Sequence, residues 1–565
     1  MDQRPRRVTS NRRLASVGVV LVLAWTTVGF RLTIVQGARA DEFAERGLDQ
    51  RLERRTLPAD RGTIFDRDGR ELAVTIDSVS VYANPREMAD PTAVAMQLAP
   101  LVDRRVTELM VDLTSDSLFV YLARQLSPEE AEPIREADLP GVYFLTEPKR
   151  VYPAGGLAVH VIGIVRSDDN EGLEGLELQY ERALAGTPGE LLVERDPEGL
   201  VIPQGEYRVV PAEQGSDLVT TIKVEIQYAA EQALIRGMAR TGAKSGSIVV
   251  IDPTTGEILA MVNLPAYDPN ERAAVPRGAI RNRAVTDVFE PGSTQKAVTV
   301  SGALEFGLVT PATSFDIPDE IEIQDTVFED FTIHPDRLTV TQIVTHSSNL
   351  GTILLGDLMG APRLHDALSA FGEGAQTGID FPGEAAGVLR PAEEWCLTTC
   401  LAGTSIGYHV SVTPLQMAMV YAAIANDGVW VQPHLVKEIV DGSGSRQVIV
   451  PEERQVISAR TARQVRAMLE AVVESGTGSL AAVAGYRVGG KTGTTEKYLS
   501  DTQSYSEEDV VASFIGMAPV DTPRVVIAVV LDGPVDDASG GRGAAPIFAE
   551  VMLAALHQLG IPPDA

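Results

Sequence analysis

Three short strings, Ser293-Thr294-Gln295-Lys296, Ser347-Ser348-Asn349 and Lys491-Thr492-Gly493, occur once each and in that order in the chain. They constrain it to a fold that gathers distant segments around one pocket. A serine hydroxyl is a weak nucleophile and needs a neighbouring base, which a lysine one helical turn away can supply if its amine is neutral. A helix N-terminus, partial desolvation and a second cation such as Lys491 each disfavour the charged form of Lys296. Only 7 of the 48 basic residues are lysine, and two of those fall in these strings. The rest are arginines, which cannot be deprotonated. Singly, the strings read as an exposed turn, a cap and a strand end. Together they spell a serine acyl-transfer site. Glu290-Pro291-Gly292 stops the preceding segment, and Val298, Val300, Leu304 and Phe306 then give a buried helical pattern.

With 565 residues and 44% hydrophobic content, the chain can bury two or three cores. A formal net charge of −30 argues against nucleic acid or anionic lipid as the main target, since either needs a basic face. The charge is unevenly placed. Arg4, Arg6, Arg7, Arg12 and Arg13 precede residues 14–30, which carry no charge. Seventeen helical residues rise roughly 26 Å, and snorkelling of Arg31 extends the span to about Val35, enough for one membrane pass. The expectation is a cytoplasmic tail over 1–13, a retained anchor over 14–35 and an exported remainder at the plasma membrane. Ala38-Arg39-Ala40 loosely resembles a cleavage site, but the apolar run exceeds a usual signal core.

Oxidising surroundings would permit a disulfide between Cys396 and Cys400, the two cysteines of the chain. An i, i+4 pair on a regular helix is poorly aimed for bridging, so a bond requires an irregular loop; both states stay open. The seven histidines show no His-Glu-x-x-His pattern, and His346 reads as a packed neighbour rather than a ligand. No metal and no cofactor is expected.

Residues 61–73 read as a β-hairpin around Asp68-Gly69. Residues 85–140 look mainly helical and polar, and 150–215 read as a Gly- and Pro-rich spacer with short strands. A compact domain then opens, with 218–226 alternating like a strand, 227–240 suiting a helix and 246–262 forming a hairpin around Thr255-Gly256. Residues 485–492 also satisfy the P-loop pattern, but a P-loop lysine must open a helix. Here a polar stretch running to Asp509 follows, and residues 510–518 and 524–531 read as antiparallel neighbours rather than a crossover.

At this point the chain resembles the class B penicillin-binding proteins, monofunctional peptidoglycan D,D-transpeptidases. The likeness rests on the three strings, the anchor, the Arg61-Gly62-x-Ile64-x-Asp66-Arg67 hairpin, Gly172-Leu173-Glu174-Gly175-Leu176-Glu177 and Asp268-Pro269-Asn270. It extends to Ser405-Ile406-Gly407-Tyr408, Val412-Thr413-Pro414-Leu415-Gln416 and Ala544-Ala545-Pro546-Ile547-Phe548. The resemblance implies an α+β fold: a penicillin-binding-protein or serine β-lactamase-like transpeptidase domain, an antiparallel sheet flanked by helices, over 216–565. An elongated α+β pedestal or dimerisation domain over 41–215 would precede it. Lys223, where the family often has Asp, and the cysteine pair depart from the family pattern.

Carried over residue by residue, the resemblance makes Ser293 the acylated nucleophile, Lys296 its base, Ser347 the proton relay to the leaving amine and Lys491 the source of the cleft's positive field. Asn349 would hold the substrate amide. Thr492, Gly493 and Thr494 would line the donor site, with the two threonines binding the donor's terminal carboxylate. The backbone N–H groups of Ser293 and Thr494 would form the oxyanion hole, each donor being worth roughly 10²–10³ in rate. The implied partners are D-Ala-D-Ala stem peptides, an amine acceptor, β-lactam antibiotics, a membrane glycosyltransferase and divisome or elongasome proteins. Length and the absence of further C-terminal domains lean toward the septal type. The alternatives are a membrane-anchored β-lactam sensor or scaffold, a D,D-carboxypeptidase and a β-lactamase.

Overall fold

A computed structural model describes residues 8–49, 51–195, 202–271, 275, 277–324, 326–499 and 504–565. The chain divides into two compact units, Met1–Ala59 with Thr187–Glu213, and Asp60–Gly186 with Gln214–Ala565. In the first unit a helix over Val8–Thr33 continues into a π-helical turn, Ile34–Ala38. Its apolar side chains, Leu14, Val20, Trp25 and Phe30 among them, are exposed. The stretch Asn11–Ala38 is long and apolar enough to cross a membrane and fits a single-pass anchor. Arg4, Arg6 and Arg7 of the expected cytoplasmic tail lie outside the described residues. A three-stranded antiparallel sheet of Leu52–Leu57, Gly189–Glu194 and Tyr207–Val210 completes this unit.

In the second unit the expected hairpin forms: Ile64–Phe65 pairs antiparallel with Glu71–Ala83, closed by Asp66 Oδ1 accepting from the N–H groups of Asp68 and Arg70. Lys223 sits beside this turn, its Nζ 2.6 Å from Asp68 Oδ2. Two motifs singled out in the sequence meet in the interior. Glu177, fully buried, accepts from Arg61 Nε at 2.6 Å and Arg150 Nε at 2.7 Å. A buried carboxylate needs such partners, and losing either arginine would leave it with one. Asn270 in turn clips the chain at Tyr152 through its Oδ1 and Nδ2.

Much of the second unit is built on a five-stranded antiparallel sheet of β1 (Ser245–Ile251), β2 (Ile258–Leu264), β3 (Gly489–Leu499), β4 (Ser504–Ala518) and β5 (Val525–Asp532), in the order β2-β1-β5-β4-β3. Its principal helices are α1 (Val224–Thr241), α2 (Lys296–Glu305), α3 (Val340–His346), α4 (Asn349–Phe371), α5 (Pro414–Ala425), α6 (Ala459–Ser475) and α7 (Ala545–Gln558). Alternation along β1 sends Ile248 and Val250 into one core with Leu234 of α1 and Phe548 of α7, and Val249 and Ile251 into another with α5. Both faces are covered, so the strands read as continuous apolar runs. Every residue of α5 is buried, as expected of a helix that is apolar all round.

Several elements differ from the sequence expectation. Within 85–140 a strand, Val120–Leu126, pairs with Glu71–Ala83. The strand expected over 218–226 spans only Asp217–Thr220, because α1 already begins at Val224. Phe306 follows the end of α2 and is exposed rather than packed. The P-loop string fails structurally, since Lys491 and Thr492 lie inside β3, which runs on to Leu499 instead of opening a helix. Residues 500–503 of the polar stretch after it lie outside the described residues.

Candidate active site

Ser293 lies in a 3-10 turn, Gly292–Gln295, that feeds directly into α2, whose first residue is Lys296. Two glycines let β3 press against this turn. At Gly292, with φ 53°, a Cβ would meet Thr495 Oγ1 at 2.2 Å, and at Gly493 it would meet Ser513 Oγ at 2.4 Å and Thr294 Cγ2 at 3.0 Å. Any larger residue would push the strand away from the serine. The back of the turn is pinned by Tyr421 on α5, whose hydroxyl donates to Thr294 O at 2.9 Å. It is pinned also by Glu373, which accepts from Gln295 Nε2 with both oxygens at 2.8 and 2.9 Å.

Ser347 joins α3 to α4. It adopts φ 58°, a left-handed conformation uncommon outside glycine, and this aims its hydroxyl into the cleft. Ser347 Oγ donates to Ser293 Oγ at 3.1 Å and accepts from Lys491 Nζ at 2.8 Å. The three strings therefore converge on one hydroxyl pair.

Lys296 and Lys491 are both fully buried. Lys296 Nζ donates to Ser347 O at 2.6 Å and Asn349 Oδ1 at 2.7 Å, with Ser347 Oγ farther off at 3.4 Å. Among the described residues it makes no hydrogen bond to Ser293 Oγ. A neutral amine has two N–H groups, and two pure acceptors take them both; its lone pair is left for the hydroxyls. Burial lowers the Lys296 ammonium to a pKa of about 7, against the pull of Asp330, whose negative charge favours the proton. Lys491 is pushed well below its ordinary range, first by burial and then by the charge of Lys296. The expected repulsion between the two cations is present and bears on Lys491, so the pair favours at most one charge.

Asn349 Oδ1 faces Lys296, and its Nδ2 donates to Glu329 O at 3.0 Å. Thr492 is buried, its hydroxyl 2.8 Å from that of Thr477. Thr494 is exposed, and its Oγ1 accepts from the Gly540 N–H at 3.1 Å. Glycine is required at Gly540, where a Cβ would fall 2.4 Å from Gly493 O.

Four residues without a sequence signal thus support the site: Asp330, Glu373, Thr477 and Gly540. Asp330 does the most. Its Oδ2 accepts from Ser348 Oγ at 2.6 Å, and its Oδ1 accepts from the N–H groups of Asn349 and Leu350 at the start of α4. His334 Nε2 adds a contact to Oδ2 at 2.7 Å. A carboxylate at a helix N-terminus is favoured by the dipole as well as by these donors. His346 ends α3, and its ring centroid lies 6.3 Å from that of His334. The cysteines are bonded to each other, Cα to Cα 5.3 Å, in an irregular loop that becomes helical only at Cys400.

Two hydroxyls in contact and two buried amines beside an edge strand give the arrangement that serine acyl transfer needs. Comparison with known proteins gives the family. The penicillin-binding protein transpeptidase domain matches residues 246–553 and the penicillin-binding protein dimerisation domain residues 56–220. The chain is 33% identical over 581 residues to the Escherichia coli peptidoglycan D,D-transpeptidase FtsI, covering 100% of this chain and 95% of that one. It is 36% identical over 538 residues to the Mycobacterium tuberculosis penicillin-binding protein PbpB, covering 89% and 79%. A crystal structure of M. tuberculosis penicillin-binding protein 3 complexed with aztreonam aligns with TM-score 0.72 and 31% identity, over 90% of this chain and 98% of that one. The chain belongs to the class B penicillin-binding proteins.

Proposed function

We propose that this protein cross-links peptidoglycan stem peptides as a serine D,D-transpeptidase, and that β-lactams acylate the same serine. The observation that carries the reading is the contact of Ser347 Oγ with both Ser293 Oγ and Lys491 Nζ. Ser293 attacks the carbonyl of the penultimate D-Ala of a donor stem, and neutral Lys296 takes its proton through the Ser293–Ser347 hydroxyl pair. Backbone N–H groups of Ser293 and Thr494 stabilise the oxyanion. Ser347 then passes a proton to the departing D-Ala amine, and an amine from a second stem resolves the ester. Asn349 holds the donor amide, and Gly493 keeps β3 close enough for Thr492 and Thr494 to bind the donor's carboxylate. The arriving carboxylate would restore the charge on Lys491 that burial disfavours.

In the same reading, residues 1–13 are cytoplasmic, 14–35 anchor the chain in the plasma membrane, 41–215 form the pedestal and 216–565 the exported transpeptidase domain. The partners are a membrane glycosyltransferase and the division machinery. The test uses the full chain in detergent with a D-Ala-D-Ala donor and an amine acceptor. Release of D-Ala coupled to acceptor linkage, abolished by prior penicillin treatment, supports the reading. Penicillin turnover without transfer would replace it with a β-lactamase.

A further inference from the structure

The Cys396–Cys400 disulfide takes no part in the acyl chemistry, and its two sulfurs are not equivalent. Cys396 Sγ accepts from the Cys400 N–H at 3.0 Å and from Thr398 Oγ1 at 3.5 Å, with Thr399 Oγ1 at 3.8 Å. Among the described residues Cys400 Sγ has no such donor. In thiol–disulfide exchange the departing sulfur carries the developing negative charge, so the sulfur that already faces donors leaves more readily. Cys396 is therefore the leaving sulfur and Cys400 Sγ the one attacked. The bond is within reach of a thiol in solution, since Cys396 is exposed and Cys400 only partly buried. Leu397, at the crest of the loop, is fully exposed, so apolar packing does little to hold the loop to the helix Cys400–Ser405.

The segment after the disulfide grips the turn that carries Ser293. Ser405 O accepts from Thr299 Oγ1 of α2 at 2.7 Å, and Gly407 O accepts from the Gly292 N–H at 3.1 Å. The His409 N–H donates to Glu290 Oε1 at 2.8 Å, and Phe289 and Val412 exchange two backbone hydrogen bonds of 2.9 Å. At Gly407, with φ 91°, a Cβ would fall 2.2 Å from Gly292 O, so the two backbones are in close contact. A disulfide that fixes the start of this segment thereby steadies the nucleophile's turn from outside.

We propose that the Cys396–Cys400 bond is a thiol–disulfide exchange site through which a dithiol slows acylation of Ser293. One thiolate of the dithiol attacks Cys400 Sγ, the bond between the two cysteine sulfurs breaks, and Cys396 leaves as a thiolate that takes up the proton the attacking thiol gave up. The second thiol of the dithiol then attacks the mixed disulfide, passing its own proton to Cys400 as that thiolate leaves. The protein pair gains two electrons and two protons, and the dithiol is oxidised to its own disulfide. The exchange stands on the loop alone, whereas its effect rests on the reading of Ser293 as nucleophile. The test treats the folded full chain in detergent with dithiothreitol, then follows iodoacetamide capture by mass spectrometry and fluorescent-penicillin labelling in parallel samples. We expect both cysteines to be captured well below the melting temperature, Cys396 before Cys400. Labelling of the reduced protein should slow about three- to tenfold, a loss of positioning at the nucleophile, and recover on reoxidation. The double variant Cys396→Ser, Cys400→Ser should label at the reduced rate with or without dithiothreitol. Capture only on thermal unfolding, capture of Cys400 first, equal labelling in the two redox states, or slowing by dithiothreitol that persists in the double variant would overturn the proposal. Cysteine capture as expected with no labelling in either redox state would instead refute the acyl-site reading.

Discussion

Ser347 Oγ lies 3.1 Å from Ser293 Oγ across 54 residues of chain, and it reaches there only because Ser347 adopts a left-handed backbone between α3 and α4. The contact makes Ser347 the bridge between Ser293, the proposed nucleophile, and Lys491. Replacing it with alanine removes the bridge without disturbing the backbone N–H groups beside it. We expect Ser347→Ala to slow penicillin acylation by about 10²-fold or more, measured by stopped-flow labelling. A rate within a few-fold of wild type would remove the relay.

As the proposed base, the buried amine of Lys296 sets the expected pH dependence. Below its pKa of about 7 the ammonium has no lone pair to accept the serine proton, so acylation should fall as pH drops through 7 and level off above it. Lys296→Arg should abolish acylation across the range, because guanidinium stays charged. The measurement is the labelling rate from pH 5 to 9.

Asp330 ties the loop carrying Ser347 and Asn349 to the start of α4, and its charge also raises the pKa of Lys296. Asp330→Asn should cost about 2 kcal/mol of stability in thermal melts, the loss of charge-assisted bonds at a buried site. It should also move the acidic limb of the acylation profile below 7, since the stabilising anion is gone. A purely structural role would lower Tm and leave the limb where it is.

Glu373, fully buried behind the nucleophile's turn, has its carboxyl pushed up to about 8 by burial, against the hydrogen bonds from Gln295. Its proton is held in the folded state and lost from the unfolded chain over the interval between the ordinary carboxylate range and 8. The stability it contributes is therefore full at acid pH and is lost as pH rises toward 8. Glu373→Gln carries no ionisable group, and we expect the fall in Tm between pH 5 and 8 to flatten. An unchanged slope would mean that another group is responsible.

The sequence made legible those parts that local chemistry decides. The hairpin of β1 and β2 announced itself through apolar runs around Thr255-Gly256, and α1 through its period. The chemistry of the site was legible because Ser293, Ser347 and Lys491 sit in strings whose residue types serve little else together. What escaped was set by tertiary contact. Asp330 follows Glu329 in an unpatterned loop, and only folding brings it under the Asn349 N–H. The strand Val120–Leu126 is short and flanked by helices, so its neighbours' polarity masked it until pairing with Glu71–Ala83 gave its backbone partners. The role of Gln295 carries no signal of its own in the string, because Glu373 reaches it from beyond the end of α4.

Mass spectrometry of the penicillin-treated full chain tests the central assignment most directly. A single covalent adduct should map to the peptide containing Ser293, and the folded Ser293→Ala variant should show none. An adduct on any other residue, or one that persists in Ser293→Ala, would contradict the assignment of Ser293 as the nucleophile.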